Sequence, residues 1–170
     1  VQPYLAKKII EYSFPGKVFF SNSGAEANEG AIKFARKYGN PARNEIITME
    51  KSFHGRTLAT LTATGQDKVK KGFDPLPGGF KYDPYNDIEA FKNAITDKTI
   101  AVMLELIQGE GGINVPDKEY VTQMRKITKE KDILMIIDEV QTGMGRTGEM
   151  FAYKLFDIEP DAITLAKALG

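Results

Sequence analysis

The chain has 170 residues, 42% of them hydrophobic, and its 23 basic and 23 acidic side chains cancel. That is enough apolar material for one sizeable core, with no charge excess to draw the chain to nucleic acid or an anionic membrane, so a small-molecule function is expected. There is no cysteine, which excludes disulfides, thiolate metal sites and cysteine nucleophiles, and cytoplasm is the expected compartment.

In chain order, the apolar run Val18–Phe20 reads as a first buried strand. Ser23 and Glu26 then stand at capping-box spacing and open a helix with Ala27, Ala31, Phe34, Ala35 and Tyr38 on one face, stopped by Gly39-Asn40-Pro41. A second strand, Ile46–Met49, leads into Phe53-His54-Gly55-Arg56-Thr57. The stretch from Gly72 to Asn86, rich in proline and glycine, reads as an irregular surface connection. Asn86 and Glu89 suggest a second capping box, before a helix that places Ile88, Phe91 and Ile95 together. The strand Ile100–Leu104 runs into Glu105, with Glu110 five residues on, and Pro116-Asp117 precede a helix with Tyr120, Met124 and Ile127 on one face. Two further strands follow: Ile133–Ile137, ending in Asp138-Glu139, and Ala162–Leu165, ending just before Lys167. Short apolar strands alternating with helices predict an α/β fold, a mostly parallel sheet with helices on both faces.

Three places carry chemistry. A helix start at Ser23-Gly24-Ala25 offers unpaired backbone amides and a partial positive charge to an anion, although Ser23 also suits a plain helix cap. Asp138, at the carboxyl end of a strand, stands where open α/β sheets gather ligands; a contact to a protonated ring nitrogen, a metal or magnesium ligand and a helix cap all fit such an acid. Lys167, just past the last strand, belongs at the same sheet edge, where an amine can condense with an aldehyde and shuttle a proton. Phe53 suits stacking on a planar ring or a place in the core, and His54, the sole histidine, suits a structural hydrogen bond or the lining of a pocket. A nucleotide-binding α/β module, with Ser23-Gly24-Ala25 on a phosphate and Asp138 on magnesium, is the reading from another class; the chain lacks both the phosphate loop with its lysine and the dinucleotide fingerprint.

The wording of these segments, Asn22-Ser23-Gly24-Ala25-Glu26-Ala27-Asn28-Glu29, Asp138-Glu139-Val140-Gln141-Thr142-Gly143 through Gly148, and Pro160-Asp161 through Lys167, resembles the class III aminotransferases over nearly the whole chain. The resemblance implies part of the large domain of a fold-type I enzyme that depends on pyridoxal 5'-phosphate. Ser23, Gly24 and Ala25 would hold the phosphate, Phe53 would cover the ring, and His54 would line the pocket. Asp138 would face the ring nitrogen, Gln141 the ring hydroxyl, and Lys167 would carry the covalent link and the proton. Glu105 and Glu110 would shape the substrate side, with Leu106 where relatives commonly have proline. It further implies transamination from an ω-amino donor such as acetylornithine to 2-oxoglutarate, in arginine and amino-acid metabolism, by a homodimer with no metal. The opening at Val1 and the ending in mid-motif lead us to expect a single unit over 1–170 that is a portion of a longer enzyme, with a folded but catalytically incomplete fragment as the alternative reading.

Overall fold

In a computed structural model, described over residues 1–169, the expected sheet is present. Five strands, β1 (Glu45–Met49), β2 (Phe80–Asp83), β3 (Thr99–Leu104), β4 (Leu134–Asp138) and β5 (Ala162–Thr164), lie side by side in the order β2-β1-β3-β4-β5. Every neighbouring pair is parallel. The helices are α1 (Gln2–Tyr12), α2 (Gly24–Gly39), α3 (Leu58–Ala63), α4 (Asp67–Lys70), α5 (Ile88–Ala94) and α6 (Lys118–Glu130), with short 3-10 turns at Ala152–Phe156 and Lys167–Leu169.

The central strands are buried on both faces, as parallel strands between helical layers must be. Alternate residues therefore feed two cores. Ile47, Met49, Val102, Leu104, Met135 and Ile137 pack with Phe91 of α5 and with Tyr120, Val121 and Met124 of α6. Ile46, Ile100, Met103, Leu134 and Ile136 pack on the opposite face with Ala31, Ile32 and Ala35 of α2 and Ala63 of α3.

Four local expectations are corrected. Val18–Phe20 is extended but forms no strand: no described segment pairs with it, and Phe19 is 80% exposed. The stretch from Gly72 to Asn86 contains edge strand β2, whose partly exposed residues lack the apolar run of a central strand. The buried face of α2 is Asn28, Ala31, Ile32 and Ala35, and Phe34 and Tyr38 lie on its exposed side. Helix α5 is capped by Asp87, whose side chain accepts from Ala90 N at 2.9 Å. Asn86 instead bridges to the start of α6, donating to the Asp117 carboxylate and accepting from Asp117 N, each at 2.9 Å.

Asp161, just before β5, ties that strand to the layer beneath it. Its carboxylate accepts both arms of Arg125 in α6, at 2.6 and 2.9 Å, and Met135 N in β4 at 2.8 Å. The Arg125 side chain is only 10% exposed, so the pair is mostly removed from water and its loss leaves a buried guanidinium without its acceptor. Asp161→Ala is expected to cost about 2–3 kcal/mol, read as a lower urea midpoint at unchanged slope; a midpoint equal to the parent's would show that the tie contributes nothing.

Candidate active site

Because all five strands run the same way, their carboxyl ends share one edge. The chain leaves β1 for β2 on one side and returns to β3 on the other, so strand order reverses between β1 and β3, the place where such sheets form a crevice. Glu105, directly after β3, accepts Phe53 N from the loop after β1 at 2.9 Å and bridges the two strand ends. An open cleft of about 1710 Å³ lies along this edge. Its lining includes Ser23, Gly24, Ala25, Phe53, His54, Glu105, Asp138, Gln141 and Lys167.

Ser23 caps α2, its hydroxyl accepting Glu26 N at 3.2 Å. The Glu26 carboxylate turns to Asn22, accepting its backbone N at 2.7 Å and its side-chain amide at 2.8 Å, and so fixes the entry of the chain into the helix. The first-turn amides of Gly24 and Ala25 have no acceptor within the helix. A Cβ on Gly24 would lie 2.9 Å from a Val140 methyl and 3.3 Å from the Ala166 methyl, so only glycine lets this turn press against the loops after β4 and β5. Gly55, at φ 136°, leaves no room for a side chain either: a Cβ there would stand 2.9 Å from that of Ala25.

The Asp138 carboxylate is 3% exposed and faces three N–H donors. One oxygen accepts the Asn28 amide at 2.7 Å and His54 Nδ1 at 2.8 Å; the other accepts Val140 N at 3.0 Å. The His54 ring is buried, and its Nε2 has no partner among the described residues. Burial pulls the His54 pKa down, but the hydrogen bond and charge of Asp138, with Glu105 adding, carry it above the ordinary value. Burial pushes the Glu105 carboxyl up to about 7, opposed by the positive charge of His54 and by amides of Phe53 and Gly109. Leu106 is fully buried, and Tyr85 OH secures its turn by donating to the carbonyls of Glu105 and Leu106 at 3.1 and 2.9 Å.

Lys167 opens the last 3-10 turn in a left-handed backbone, φ 50°, a conformation that is uncommon for a lysine and that the surrounding chain must impose. Gln141 lies against Gly109, where an added Cβ would be 2.8 Å from its Oε1. Arg56 sits 5.9 Å from the Phe53 ring centroid. Glu110 is outside the large cleft: it lines a separate surface depression and accepts the Gln66 side-chain amide. Other acids of the three segments serve the fold. Glu29 accepts Thr57 Oγ1, Ala59 N and Thr60 N at the start of α3, and Glu139 accepts Thr142 Oγ1 and Tyr153 N. Residue-by-residue reading passed over Asn28 and Tyr85. A polar side chain one turn after Gly24, on the face that continues into Ala31, Ile32 and Ala35, was the signal for the first; nothing local marked the second.

Residues 2–170 match the family described as aminotransferase class-III. Acetylornithine aminotransferase of Methanocaldococcus jannaschii is 60% identical over 98% of the chain, and that of Bacillus subtilis 54% identical over all of it. The chain spans 43% and 44% of the length of these two relatives. Among solved structures, ornithine aminotransferase from Toxoplasma gondii superposes with a TM-score of 0.93 at 32% identity, covering 99% of this chain and 42% of that one. A second structure of that enzyme, described as holding PLP at partial occupancy in its active site, gives a TM-score of 0.92 at 32% identity, over 97% of this chain and 41% of the other. With the family matched from Gln2 onward and the fold shared almost from end to end, the chain belongs to the class-III aminotransferases.

Proposed function

We propose that this chain is a single unit of the cofactor-binding large domain of a pyridoxal 5'-phosphate-dependent aminotransferase. The enzyme moves the amino group of acetylornithine, or of a related ω-amine, to 2-oxoglutarate, giving the semialdehyde and glutamate. The observation that carries the reading is that Lys167, Asp138 and the first turn of α2 line one cleft, although more than a hundred residues separate that turn from the other two. The relatives' names support acetylornithine as donor, and we place the reaction in arginine biosynthesis, in the cytoplasm. Exposed Phe19, Ile113 and Val115 leave apolar surface for a second copy, in keeping with a homodimer.

The residues present fit the cofactor. Amides at a helix start suit a phosphate dianion, a buried carboxylate suits a protonated ring nitrogen, and an amine suits an aldehyde. Pyridoxal phosphate supplies an aldehyde and an electron-accepting ring when bound. Gly24 and Ala25 would hold the phosphate through their amides, with Ser23 fixing the turn. Asp138 would keep a proton on the ring nitrogen. Phe53 would cover one ring face, Gln141 would lie near the ring hydroxyl, and buried His54 would brace Asp138 from behind. Lys167 Nζ would hold the aldehyde carbon and, once displaced by the substrate amine, take the proton from the substrate carbon that bears the amino group. Glu105 would close the substrate side of the cleft. Glu110 joins that side only if its loop turns toward the cleft on substrate binding.

In the full-length protein, borohydride reduction with pyridoxal phosphate is expected to fix the label on the peptide containing Lys167; label spread over surface lysines, or none, overturns the reading. Lys167→Ala is expected to keep phosphate-dependent binding of the cofactor while kcat falls by about 10²–10⁴, the usual share of a positioned acid–base group. Glu105 supplies a test that needs no cofactor. Its folded-state pKa, about 7, lies above the ordinary carboxyl value, so the folded protein binds more protons than the unfolded one between roughly pH 4.5 and 7, and stability falls as pH rises through that window. Glu105→Gln is expected to flatten this fall by on the order of 2–3 kcal/mol in chemical unfolding at pH 5 and pH 7.5; equal slopes in variant and parent would show that the carboxyl titrates normally.

A further inference from the structure

Asn28 has a buried side chain, 1% exposed, in the first half of α2. Its Nδ2 donates to Asp138 Oδ2 at 2.7 Å and to the His54 carbonyl at 2.7 Å, which uses both amide hydrogens. Both partners are acceptors, so the orientation of the amide is fixed by chemistry. Its Oδ1 is buried with no partner among the described residues. A buried amide that leaves its acceptor unsatisfied is costly, and a small apolar residue would suit the face shared with Ala31 and Ala35. What the asparagine contributes there is its pair of donors.

The position of those donors matters. Asn28 follows Gly24 by four residues, on the same face of the helix and roughly 6 Å farther along the axis at about 1.5 Å per residue. One rigid helix thus presents free amides at its first turn and grips a carboxylate one turn later. The grip is shared: His54 Nδ1 reaches the same Asp138 oxygen from the loop after β1, and the carbonyl of that residue takes the second Asn28 hydrogen. Asn28, His54 and Asp138 therefore form a closed three-member ring of hydrogen bonds that joins α2, the loop after β1 and the end of β4.

We propose that Asn28 is the positioning residue of Asp138, holding the ring-facing carboxylate at a fixed offset from the helix turn assigned to the cofactor phosphate. The inference rests on the reading of Asp138 given under Proposed function, and it adds a residue to that site. In this role Asn28 acts through Asp138, by limiting the rotation of its side chain, so its removal costs turnover without abolishing binding.

The test is a double-mutant cycle in the full-length holoenzyme. Asn28→Ala, which suits a helix interior, is expected to lower kcat about tenfold, the size expected for one hydrogen bond to a charged group, with KM for 2-oxoglutarate nearly unchanged. Asn28→Asp keeps the shape without the N–H donors and is expected to lower kcat at least as far, so a folding failure of one variant leaves the other decisive. In an Asp138→Ala background, Asn28→Ala is expected to cost nothing further. A readout independent of turnover is the ring titration of His54, followed by ¹⁵N NMR of the histidine-labelled, cofactor-free protein and assigned with His54→Gln. Loss of the fixed carboxylate in Asn28→Ala is expected to lower the His54 pKa. Parent-like kcat in both Asn28 variants while Asp138→Ala is crippled, or an additive loss in the double variant, overturns the positioning role and leaves the proposed function standing. Parent-like turnover in Asp138→Ala itself would remove the reading beneath it.

Discussion

The close approach of the first turn of α2 to the loops after β4 and β5 is the constraint on which the cleft depends. Gly24 meets Val140 and Ala166 at distances that no side chain would permit, and Val140 follows Asp138 by two residues as Ala166 precedes Lys167 by one. A larger residue at Gly24 would move the helix away from the sheet edge and part the three segments together. The contact is apolar and made by small groups, so its effect is geometric: it sets how near a helix's unpaired amides lie to the ends of two parallel strands.

Around this contact the charged groups divide into two populations. Glu29, Glu139 and Asp161 are satisfied by backbone amides, hydroxyls or a paired guanidinium, and they fasten loops to neighbouring elements. Glu105, His54 and Asp138 are buried together at the floor of the cleft, where the balance of desolvation and neighbouring charge raises the pKa of both Glu105 and His54. The second population is the one the proposed function uses, and a core built for stability alone has no reason to collect two carboxyls and an imidazole. His54, which sequence reasoning left between pocket lining and a structural hydrogen bond, proves to be a buried partner of Asp138.

Much of the fold was legible because β1, β3 and β4 are central strands: buried on both sides, they read as unbroken apolar runs whatever packs against them. The start of α2 was legible for a similarly local reason, since Ser23 and Glu26 act within one helical turn. Edge strand β2 was not, because a strand with one neighbour and partial exposure needs no apolar run, and Val18–Phe20 misled because apolar residues do not by themselves supply a ladder partner. The choice of Asp87 over Asn86 as the cap of α5 turned on Asn86 being engaged by Asp117, thirty-one residues away.

The sequence by itself determined the chemical parts: an amine after the last strand, an acid at the end of another, amides at a helix start and the family wording that joins them. Only the tertiary structure decided which groups meet. It gave Asp138 its three donors, set Asn28 and His54 on one of its oxygens, buried Glu105 between the ends of β1 and β3, and left Glu110 in a separate depression. The physical reason is that hydrogen bonding and desolvation depend on a few ångströms of separation across segments a hundred residues apart, and only the packing of the sheet with α2 fixes those separations.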